Sequence, residues 1–401
     1  MTTTSVQPKL LLRNARVVLP DRLLKSAAVL IEAGRIASIV ADEAARLSDD
    51  VSLDLNGLTV YPGFIDVHLH GAVGVDTMDA SAAQLSQVSQ FLVTQGVTGW
   101  LPTLVPATHE SYAGAVKEVG RLIAGQQNAT PQGGARVLGV HYEGPFVNNA
   151  QCGALHAEYF QSYSDAAQLN DLPVLTTTGA TMMMTLAPEI GGGLDLVRDL
   201  SSKGWIVSLG HTRAEPEVLD RAHQAGAHHM THFMNAMAPL HQRSPGPVAW
   251  GLMRDDVSCD VVADGIHLKP LMLRLLLKVK RPQRLNLISD SIAAAGMGDG
   301  EYKIWGETIA VSNGRTSNAA GSIAGSVITM LDAVRLMLSL GVSAVDAAVM
   351  ASTNPARLLR LNNESGSIEE GKRADLVALD EHGNVRLTIV GGSVAFQASA
   401  M

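Results

Sequence analysis

Cysteine is scarce in this sequence, since only Cys152 and Cys259 occur among its 401 residues. Two cysteines cannot form a disulfide framework, and we interpret both as reduced thiols without a special role. Such usage is typical of the reducing cytosol. The N-terminal segment contains no basic stretch followed by a sustained apolar core, so we expect no signal peptide and a cytoplasmic location.

Long apolar runs and an excess of positive charge are missing as well. No run approaches the ~20 consecutive apolar residues of a membrane-spanning helix, so we expect no membrane partner. Lysine and arginine together number 30 against 38 aspartates and glutamates, which gives a formal net charge of −8 at pH 7. No cationic excess is left to neutralise the phosphates of a nucleic acid, so we expect no nucleic-acid partner.

What the sequence does contain is a regular alternation of short apolar runs with helical spacers. Spacers such as 80–94, 110–124 and 215–225 combine helical apolar periodicity with good helix formers. The apolar runs between the spacers are the predicted strands 64–70, 99–105, 136–146, 181–188, 205–211, 228–233, 259–263 and 285–290. Eight such units predict an α/β fold, a parallel (β/α)8 barrel of the TIM type, with catalytic groups at the C-terminal strand ends.

The two ends of the chain follow a different pattern. Residues 9–62 read as short strands and turns without a long helical period, and 371–379 and 385–396 alternate in the same way. We infer that both termini combine into one small β-sandwich domain beside the barrel. The predicted segments are 1–62 for the N-terminal part of the small domain, 63–355 for the catalytic barrel and 356–401 for the C-terminal part of the small domain.

Side chains that bind metals lie at the ends of several predicted strands. His68 and His70 point to the same side because side chains alternate along a strand, although a His-x-His pair alone is a weak signal. Glu143 precedes Gly-Pro, which must end its strand, and His211 and His232 end two others. A Glu/His/His set suits Zn²⁺ or a similar divalent ion with an open position for water. These ligands can converge only if the barrel closes.

Asp290 ends the eighth predicted strand. A carboxylate beside a metal-activated water can take its proton and return it to a leaving group. Its alternative role is a helix N-cap, which Ser289 or Ser291 could fill equally well. The histidines that we expect on helix surfaces, in loops or elsewhere at the surface are His223, His228, His229, His109 and His241.

Read in order, these positions resemble the amidohydrolase superfamily, and within it the N-acetylglucosamine-6-phosphate deacetylases. The Glu-Gly-Pro at Glu143 and the Thr-His-x-x-Asn-Ala-Met at Thr231 are specific to this deacetylase group, whereas the His pair and the terminal Ala-Asp-Leu mark only the superfamily. The matching stretches cover nearly the whole chain. They are Pro62-Gly-Phe-Ile-Asp-Val-His-Leu-His-Gly, Gly96-Val-Thr-Gly-Trp-Leu-Pro-Thr, His141-Tyr-Glu-Gly-Pro-Phe, Leu209-Gly-His-Thr, Thr231-His-Phe-Met-Asn-Ala-Met, Ala263-Asp-Gly-Ile-His, Ser289-Asp-Ser, Gly321-Ser-Ile-Ala-Gly-Ser and Gly371-Lys-Arg-Ala-Asp-Leu.

The resemblance implies metal-dependent hydrolysis of the N-acetyl group of N-acetyl-D-glucosamine 6-phosphate, giving acetate and the free amine. It implies that Glu143, His211 and His232 are the principal metal ligands and that Asp290 is the catalytic base and acid. Members that keep the His pair can hold two ions, so His68 and His70 imply one or two ions per subunit. Zn²⁺ is the first expectation, with Fe²⁺ or another divalent metal as the alternative.

The resemblance also implies where the sugar phosphate binds. Asn235, Ala236, Arg243 and His267 fall where the family holds this substrate, and His156 resembles a contact to the substrate carbonyl or sugar. The spacing before His156 is one residue longer than is usual in the family. Members form homodimers in which a phosphate contact can come from the neighbouring subunit, which leaves open the subunit that Arg243 serves.

Three other functions compete with this one. The C4 epimer N-acetylgalactosamine 6-phosphate would share the phosphate and acetyl contacts. A cyclic-amide hydrolase or nucleobase deaminase is a second alternative, but binuclear cyclic-amide hydrolases commonly use a modified lysine on the fourth strand, and 181–188 contains no lysine. A barrel that only binds or assembles is the third, and it would be expected to lack a ligand or the acid-base residue.

Overall fold

The computed structural model describes residues 9–44, 51–128 and 133–399. Its first strands form a meander in which the hairpin between β2 (Leu23–Glu32) and β3 (Arg35–Ala41) is closed by Ala33 and Gly34. Both residues have positive φ, 48° and 77°, as a two-residue type I′ turn requires. The strands of this region are β1 (Leu10–Val18), β2 (Leu23–Glu32), β3 (Arg35–Ala41), β4 (Val51–Asp54) and β5 (Thr59–Pro62).

Parallel strands and α-helices then alternate as the sequence predicts, except that the connection between the third and fourth barrel strands contains only the 3-10 turns Asn149–Gln151, Ala157–Tyr159 and Ala166–Asp171. The strands are β6 (Phe64–Leu69), the short hairpin β7 (Gly71–Ala72) and β8 (Val75–Asp76), β9 (Val97–Leu104), β10 (Arg136–Val137), β11 (Gly139–Glu143), β12 (Thr181–Leu186), β13 (Ile206–Leu209), β14 (His229–Met230), β15 (Ser258–Val262) and β16 (Leu285–Ile288). The helices are α1 (Ala82–Thr94), α2 (His109–Asn128), α3 (Gly193–Ser202), α4 (Pro216–Gln224), α5 (Gly246–Met253) and α6 (Pro270–Val279). Every predicted barrel strand overlaps an observed one, and the predicted strand 136–146 is divided into β10 and β11.

The parallel strands close into a barrel. Neighbours pair from β6 through β9, β11, β12, β13, β14 and β15 to β16. The ring closes where Leu69, at the end of β6, bridges Ser291 just beyond β16, and where the Asp290 N–H donates to the His68 carbonyl at 2.9 Å. The predicted (β/α)8 barrel is confirmed, and its closure brings the first and last strand ends together.

An antiparallel insertion that the sequence analysis did not predict follows β16. It consists of β17 (Gly300–Ile304), β18 (Glu307–Ser312) and β19 (Arg315–Ser317). The chain continues through α7 (Met330–Ser339), α8 (Ala344–Ala348), a π-helical turn (Val349–Thr353) and α9 (Asn354–Leu358) to β20 (Leu376–Leu379), β21 (Val385–Val390) and β22 (Ser393–Gln397). Among the described residues, none of the helices combines the length and the apolar character that crossing a bilayer requires.

Strands from both ends of the chain share one mixed sheet. The sheet runs β22-β21-β20-β5-β1-β2-β3, with β4 paired to β1. The junction between the two chain ends is antiparallel, and Leu376 and Leu379 of β20 pair with Pro62 and Thr59 of β5. The prediction that the termini combine is therefore confirmed. Since β5 leads directly into β6, this sheet fixes the point where the barrel begins.

The interior of the barrel is polar beneath its C-terminal end. His141 Nε2 lies 2.8 Å from the hydroxyl of Thr185, which lies 2.6 Å from that of Thr231. Lower down, His229 Nε2 lies 2.9 Å from Asp260 Oδ1. We expected His229 on a helix surface or in a loop, and this was wrong, because β14 turns its side chain into the barrel and leaves the residue 1% exposed. The other histidines expected at the surface are exposed or half-buried, namely His109, His223, His228 and His241.

Glycine at position 139 is required by the close pairing of β11 with β12. A Cβ on Gly139 would lie 2.0 Å from the carbonyl oxygen of Thr181, its partner in the ladder. We expect Gly139→Ala to lower the free energy of unfolding by about 3 kcal/mol or more, since backbone must move. Gly114→Ala is the matched control, because a Cβ there meets nothing within 4 Å and α2 should gain about 0.5–1 kcal/mol. Urea denaturation followed by circular dichroism measures both, and equal midpoints would contradict this account.

Candidate metal centre

The carboxylate of Glu143 lies between two pairs of histidines. Its Oε1 is 2.9 Å from Nε2 of both His211 and His232. Its Oε2 is 3.3 Å from Nε2 of His70 and 3.7 Å from Nε2 of His68. All five side chains are buried. Glu143 therefore belongs to two groups of three donor atoms, and within each group the donors lie within 4.8 Å of one another.

The strands deliver these side chains from their C-terminal ends. Glu143 is the last residue of β11, while His211, His232 and Asp290 follow β13, β14 and β16 by two residues each. These three residues have positive φ, 46°, 29° and 51°, which non-glycine residues rarely adopt. The left-handed conformation turns the chain at the point where the ladder ends. The predicted convergence of the metal-binding residues thus occurs over the barrel mouth.

The hydrogen bonding of His211 defines which of its nitrogens is free. Its Nδ1 lies 2.7 Å from the carbonyl oxygen of Gln151, which can only accept, so Nδ1 carries the hydrogen. Nε2 then points a lone pair at Glu143 Oε1 and at Nε2 of His232, 3.1 Å away. Electron pairs that converge in this way need a positive charge between them. The donor set of one carboxylate and two imidazoles fits a divalent metal ion.

The second pair of histidines also brings its two Nε2 atoms together beside carboxylate oxygens. Nε2 of His68 and Nε2 of His70 are 3.1 Å apart, and each lies 3.4 Å from Oδ1 of Asp290. Together with Glu143 they form the second group of donors. The arrangement fits a second divalent ion that would share the Glu143 carboxylate with the first.

Charge in the site is concentrated on its carboxylates. Burial would raise the pKa of Glu143, but the neighbouring imidazoles of His68, His211 and His232 hold it well below the usual range. Burial would lower the pKa of His70, but its bonds to Asp290 and Glu143 raise it to about 10. Glu143 and Asp290 are therefore ionised at neutral pH, and they favour the protonated form of the neighbouring His70 imidazole. A bound cation would replace such a proton, so metal affinity should rise as the pH rises.

Asp290 lies at the edge of this centre and faces the cavity beside it. Burial would raise the pKa of its carboxyl, but His68 and His70 outweigh burial and lower it. Two backbone hydrogen bonds hold this residue in place. Its N–H donates to the His68 carbonyl, and its own carbonyl accepts from the Ser326 N–H at 2.7 Å. An ionised carboxylate next to the donor groups can accept a proton there.

A cavity of about 180 Å³ opens onto the metal-binding residues. Three of the predicted substrate-binding residues line it, namely Asn235, Ala236 and His267. The Nδ1–H of His267 donates to Asp264 at 2.6 Å, which fixes the orientation of its ring. The other two predicted substrate residues, Arg243 and His156, are not part of the described lining. Arg243 is exposed. The Nε2–H of His156 donates to the carbonyl of Trp305 at 3.1 Å. Their substrate contacts stay predictions.

Several residues that line the cavity were not found from the sequence. Trp305 lies in the turn between β17 and β18, and Ile323 and Gly325 follow β19. Ala154 and Leu155 come from the loop after β11. The Trp-Gly pair at 305 signals a turn, but which turn packs over the barrel mouth depends on tertiary contacts.

A (β/α)8 barrel with buried Glu/His groups at its C-terminal end defines a class of metal-binding barrel proteins. Residues 59–395 match the sequence model of the amidohydrolase family, and the chain belongs to this family.

Full-length relatives narrow the comparison. The N-acetylglucosamine-6-phosphate deacetylase of Bacillus subtilis (strain 168) is 35% identical over 390 residues, which are 96% of this chain and 97% of the relative. The N-acetylgalactosamine-6-phosphate deacetylase of Escherichia coli O157:H7 is 34% identical over 385 residues, 96% of this chain and 98% of the relative. The crystal structure of the N-acetylglucosamine-6-phosphate deacetylase from Pasteurella multocida superimposes with a TM-score of 0.88 at 29% identity, covering 96% and 99% of the two chains.

A further solved structure contains a ligand. It is a mutant N-acetyl-D-glucosamine-6-phosphate deacetylase from Mycobacterium smegmatis in complex with N-acetyl-D-glucosamine 6-phosphate. It superimposes with a TM-score of 0.87 at 30% identity and covers 97% of this chain and 100% of that chain. The likeness therefore extends over both the barrel and the sheet of the chain termini.

The shared position of Glu143 makes a prediction about metal content. We expect Glu143→Ala to reduce the metal bound per chain to near zero, because each group of donors loses its only carboxylate oxygen. His109→Ala, which removes an exposed histidine at the start of α2, is the control and should keep the full metal content. Mass spectrometry of the metal after dialysis, with circular dichroism to establish folding, measures both. Full metal content in the Glu143 variant would show that this carboxylate is not a ligand.

Proposed function

We propose that this protein hydrolyses the N-acetyl group of N-acetyl-D-glucosamine 6-phosphate to give D-glucosamine 6-phosphate and acetate. The observation that carries the proposal is Glu143, placed between two His pairs beside the ionised Asp290. The reaction also fits the relatives, since those named N-acetylglucosamine-6-phosphate deacetylase align over nearly the whole chain at 32–35% identity. The two free cysteines suit our proposal of a cytoplasmic location.

The metal would be held by the two groups that share Glu143. His211 and His232 complete one group, and His68 and His70 complete the other. When bound, a divalent ion would lower the pKa of water toward about 7 and polarise the amide carbonyl. We propose Zn²⁺ at the first group, because a set of two imidazoles and one carboxylate that leaves a position for water is its usual catalytic environment. Fe²⁺ is the alternative.

Asp290 would carry the proton in both halves of the reaction. Its lowered pKa keeps it ionised at neutral pH, so it can accept the proton of the attacking water. It would then donate this proton to the amine nitrogen, since an amine leaves only when protonated. Its place in the cavity wall, beside Glu143, gives it access to both the water and the leaving group.

The sugar phosphate would occupy the polar part of the cavity. The side-chain amide of Asn235, the backbone at Ala236 and the imidazole of His267 are hydrogen-bonding groups in that wall. An imidazolium ring that donates its Nδ1–H to Asp264 has a second N–H, at Nε2, that can donate to a phosphate oxygen, and a charged acceptor strengthens that bond.

Arg243 would reach the phosphate of a neighbouring subunit in a homodimer. Its side chain is exposed and, among the described residues, it lies outside the lining of its own cavity. Large apolar side chains are exposed on the same loop and on two helices of this region, namely Leu240 (59%), Met253 (79%) and Leu271 (75%). Apolar surface of this kind favours contact with another chain. The planar guanidinium suits bidentate contact with phosphate.

N-acetylgalactosamine 6-phosphate is the second candidate substrate. It is supported by the relative from Escherichia coli O157:H7, which matches at 34% identity against 35% for the relative from Bacillus subtilis. A difference of one percentage point in sequence identity does not decide which of the two epimers is the substrate. A cyclic-amide hydrolase that uses a modified lysine is disfavoured, because β12 (Thr181–Leu186) contains no lysine.

Acetate release from the two epimers tests the proposal directly. We expect the metal-loaded protein to release acetate from N-acetylglucosamine 6-phosphate faster than from N-acetylgalactosamine 6-phosphate. Acetate release should stop after chelation of the metal and recover when Zn²⁺ is restored. An enzymatic acetate assay measures the rates. If metal-loaded protein releases acetate from neither sugar, the substrate is a different amide.

Asp290→Asn tests the proposed proton transfer. The variant should retain its metal and bind substrate with a similar KM, because the amide keeps the shape of the side chain. Its kcat should fall by about 10²–10⁴, since general acid-base catalysis is lost. Asp255→Asn, at an exposed position remote from the cavity lining, is the matched control and should be unchanged. Near-normal turnover of the Asp290 variant would remove this residue from the mechanism.

A further inference from the structure

Trp305 occupies a special position at the tip of the hairpin formed by β17 and β18. It and Gly306 form the turn, with φ values of 52° and 77°. This turn brings the indole into the wall of the cavity that also contains Glu143 and Asp290. There the indole meets the ring of His70 edge-on, with 5.2 Å between ring centroids and an angle of 82° between the planes. A residue outside the barrel strands therefore touches the reaction site.

We propose that Trp305 is a specificity-determining residue that closes the acyl end of the cavity and restricts the enzyme to short N-acyl groups. We further propose that His156 is a positioning residue for Trp305. The proposal rests on the deacetylase function proposed above, since it concerns which N-acyl sugar phosphates that reaction accepts.

The cavity has two walls of different chemistry. The polar groups of Asn235, Ala236 and His267 come from the loops after β14 and β15. The indole of Trp305 lies instead against His70, at the end of β6, and packs with Leu155. Ile323 is a further apolar side chain of the lining. Burying a hydroxyl or phosphate group without hydrogen bonds costs free energy, so the sugar phosphate requires the polar wall. The acyl carbon chain has no such requirement and is favoured against apolar side chains.

The position of the reacting carbonyl then sets the direction of the acyl group. The carbonyl carbon must lie near Glu143 and Asp290, where the groups that act on it converge. The carbonyl carbon is bonded to the amide nitrogen of the sugar on one side and to the acyl methyl group on the other. When the sugar is directed to the polar wall, the methyl group points to the apolar wall. Trp305 is the largest side chain in that wall and would limit the length of the acyl group.

Trp305 is held in place by packing and by a hydrogen bond. Trp305 packs against an apolar cluster of Val105, Val147 and Leu155. The Nε2–H of His156 donates to the Trp305 carbonyl at 3.1 Å, and the carbonyl can only accept, so this bond ties the loop after β11 to the hairpin turn. His156 is not part of the described cavity lining. An effect of His156 on the acyl preference would therefore pass through Trp305.

A flat indole could instead stack on the face of the sugar ring, which would be a different role. Loss of stacking would weaken every substrate by the same factor, whatever its acyl group. Loss of an acyl wall would change the preference between acyl groups. The ratio of kcat/KM for two acyl lengths therefore separates the two roles.

The experiment compares N-acetyl-, N-propionyl- and N-butyryl-glucosamine 6-phosphate on the metal-loaded full chain. We expect Trp305→Ala to raise the propionyl-to-acetyl ratio of kcat/KM at least about tenfold, because one methylene in a closely fitting pocket changes discrimination by about 10–200-fold. Trp305→Phe should give a smaller increase. Lys303→Ala, at an exposed position of the same hairpin, is the control and should leave the ratio unchanged.

His156 is tested by the same ratio. His156→Ala should raise the ratio, whereas His156→Gln, which retains an N–H donor, should stay closer to the wild type. If His156 contacts the sugar or the carbonyl directly, both variants would lose activity equally on all acyl lengths and the ratio would not move. That result would overturn its positioning role.

A binding measurement supplies a second readout that is independent of turnover. In the Asp290→Asn background, calorimetry should show that Trp305→Ala improves the affinity for the butyryl sugar relative to the acetyl sugar. An unchanged acyl preference in both measurements, in a variant with a wild-type circular dichroism spectrum, overturns the proposal. If wild-type protein releases no acetate from N-acetylglucosamine 6-phosphate, the proposed function itself fails. Release with an unaltered ratio refutes only the role of Trp305.

Discussion

The convergence of buried donors on the Glu143 carboxylate is the constraint on which the rest of the structure depends. An ionised carboxylate and four imidazoles are buried together, and burying charge without compensation is costly. The compensation requires side chains from β6, β11, β13 and β14 to meet within a few ångströms. They meet only because the barrel closes between Leu69 and Ser291. Closure and charge compensation thus require each other.

Backbone strain accompanies this convergence. His211, His232 and Asp290 all have left-handed backbone conformations, which cost on the order of 1–3 kcal/mol each for non-glycine residues. Backbone hydrogen bonds hold these three residues in place. The His211 carbonyl accepts from the Asn148 N–H at 3.0 Å, and the His232 carbonyl accepts from the Asn235 N–H at 2.9 Å. The Asp290 carbonyl accepts from the Ser326 N–H at 2.7 Å. The site is therefore maintained by the loops that follow the strands as well as by the strands. Stability is given up at the positions that hold the donor atoms.

The sequence predicted the parts of this arrangement that follow from local patterns. Apolar runs ending in His70, Glu143 or Asp290 predict strand ends, and parallel strand ends in a barrel must meet at one mouth. The inward orientation of His229 could not be predicted in this way, because β14 is only two residues long and carries no alternation to read. Trp305 was missed for a different reason. Its hairpin is recognisable as a turn, but its contact with His70 joins residues far apart in the chain.

The division between barrel and added elements also explains how one site can serve related substrates. The donor groups lie at strand ends, where any displacement would disturb pairing with both neighbouring strands. The polar and apolar walls come largely from loops and from the β17–β18 hairpin, which can change without altering the barrel ladder. Relatives named for glucosamine and for galactosamine substrates match this chain about equally well along their whole length. Discrimination between sugars should therefore depend on a few wall residues, because an epimer differs in the direction of one hydroxyl group and the amide that reacts is the same.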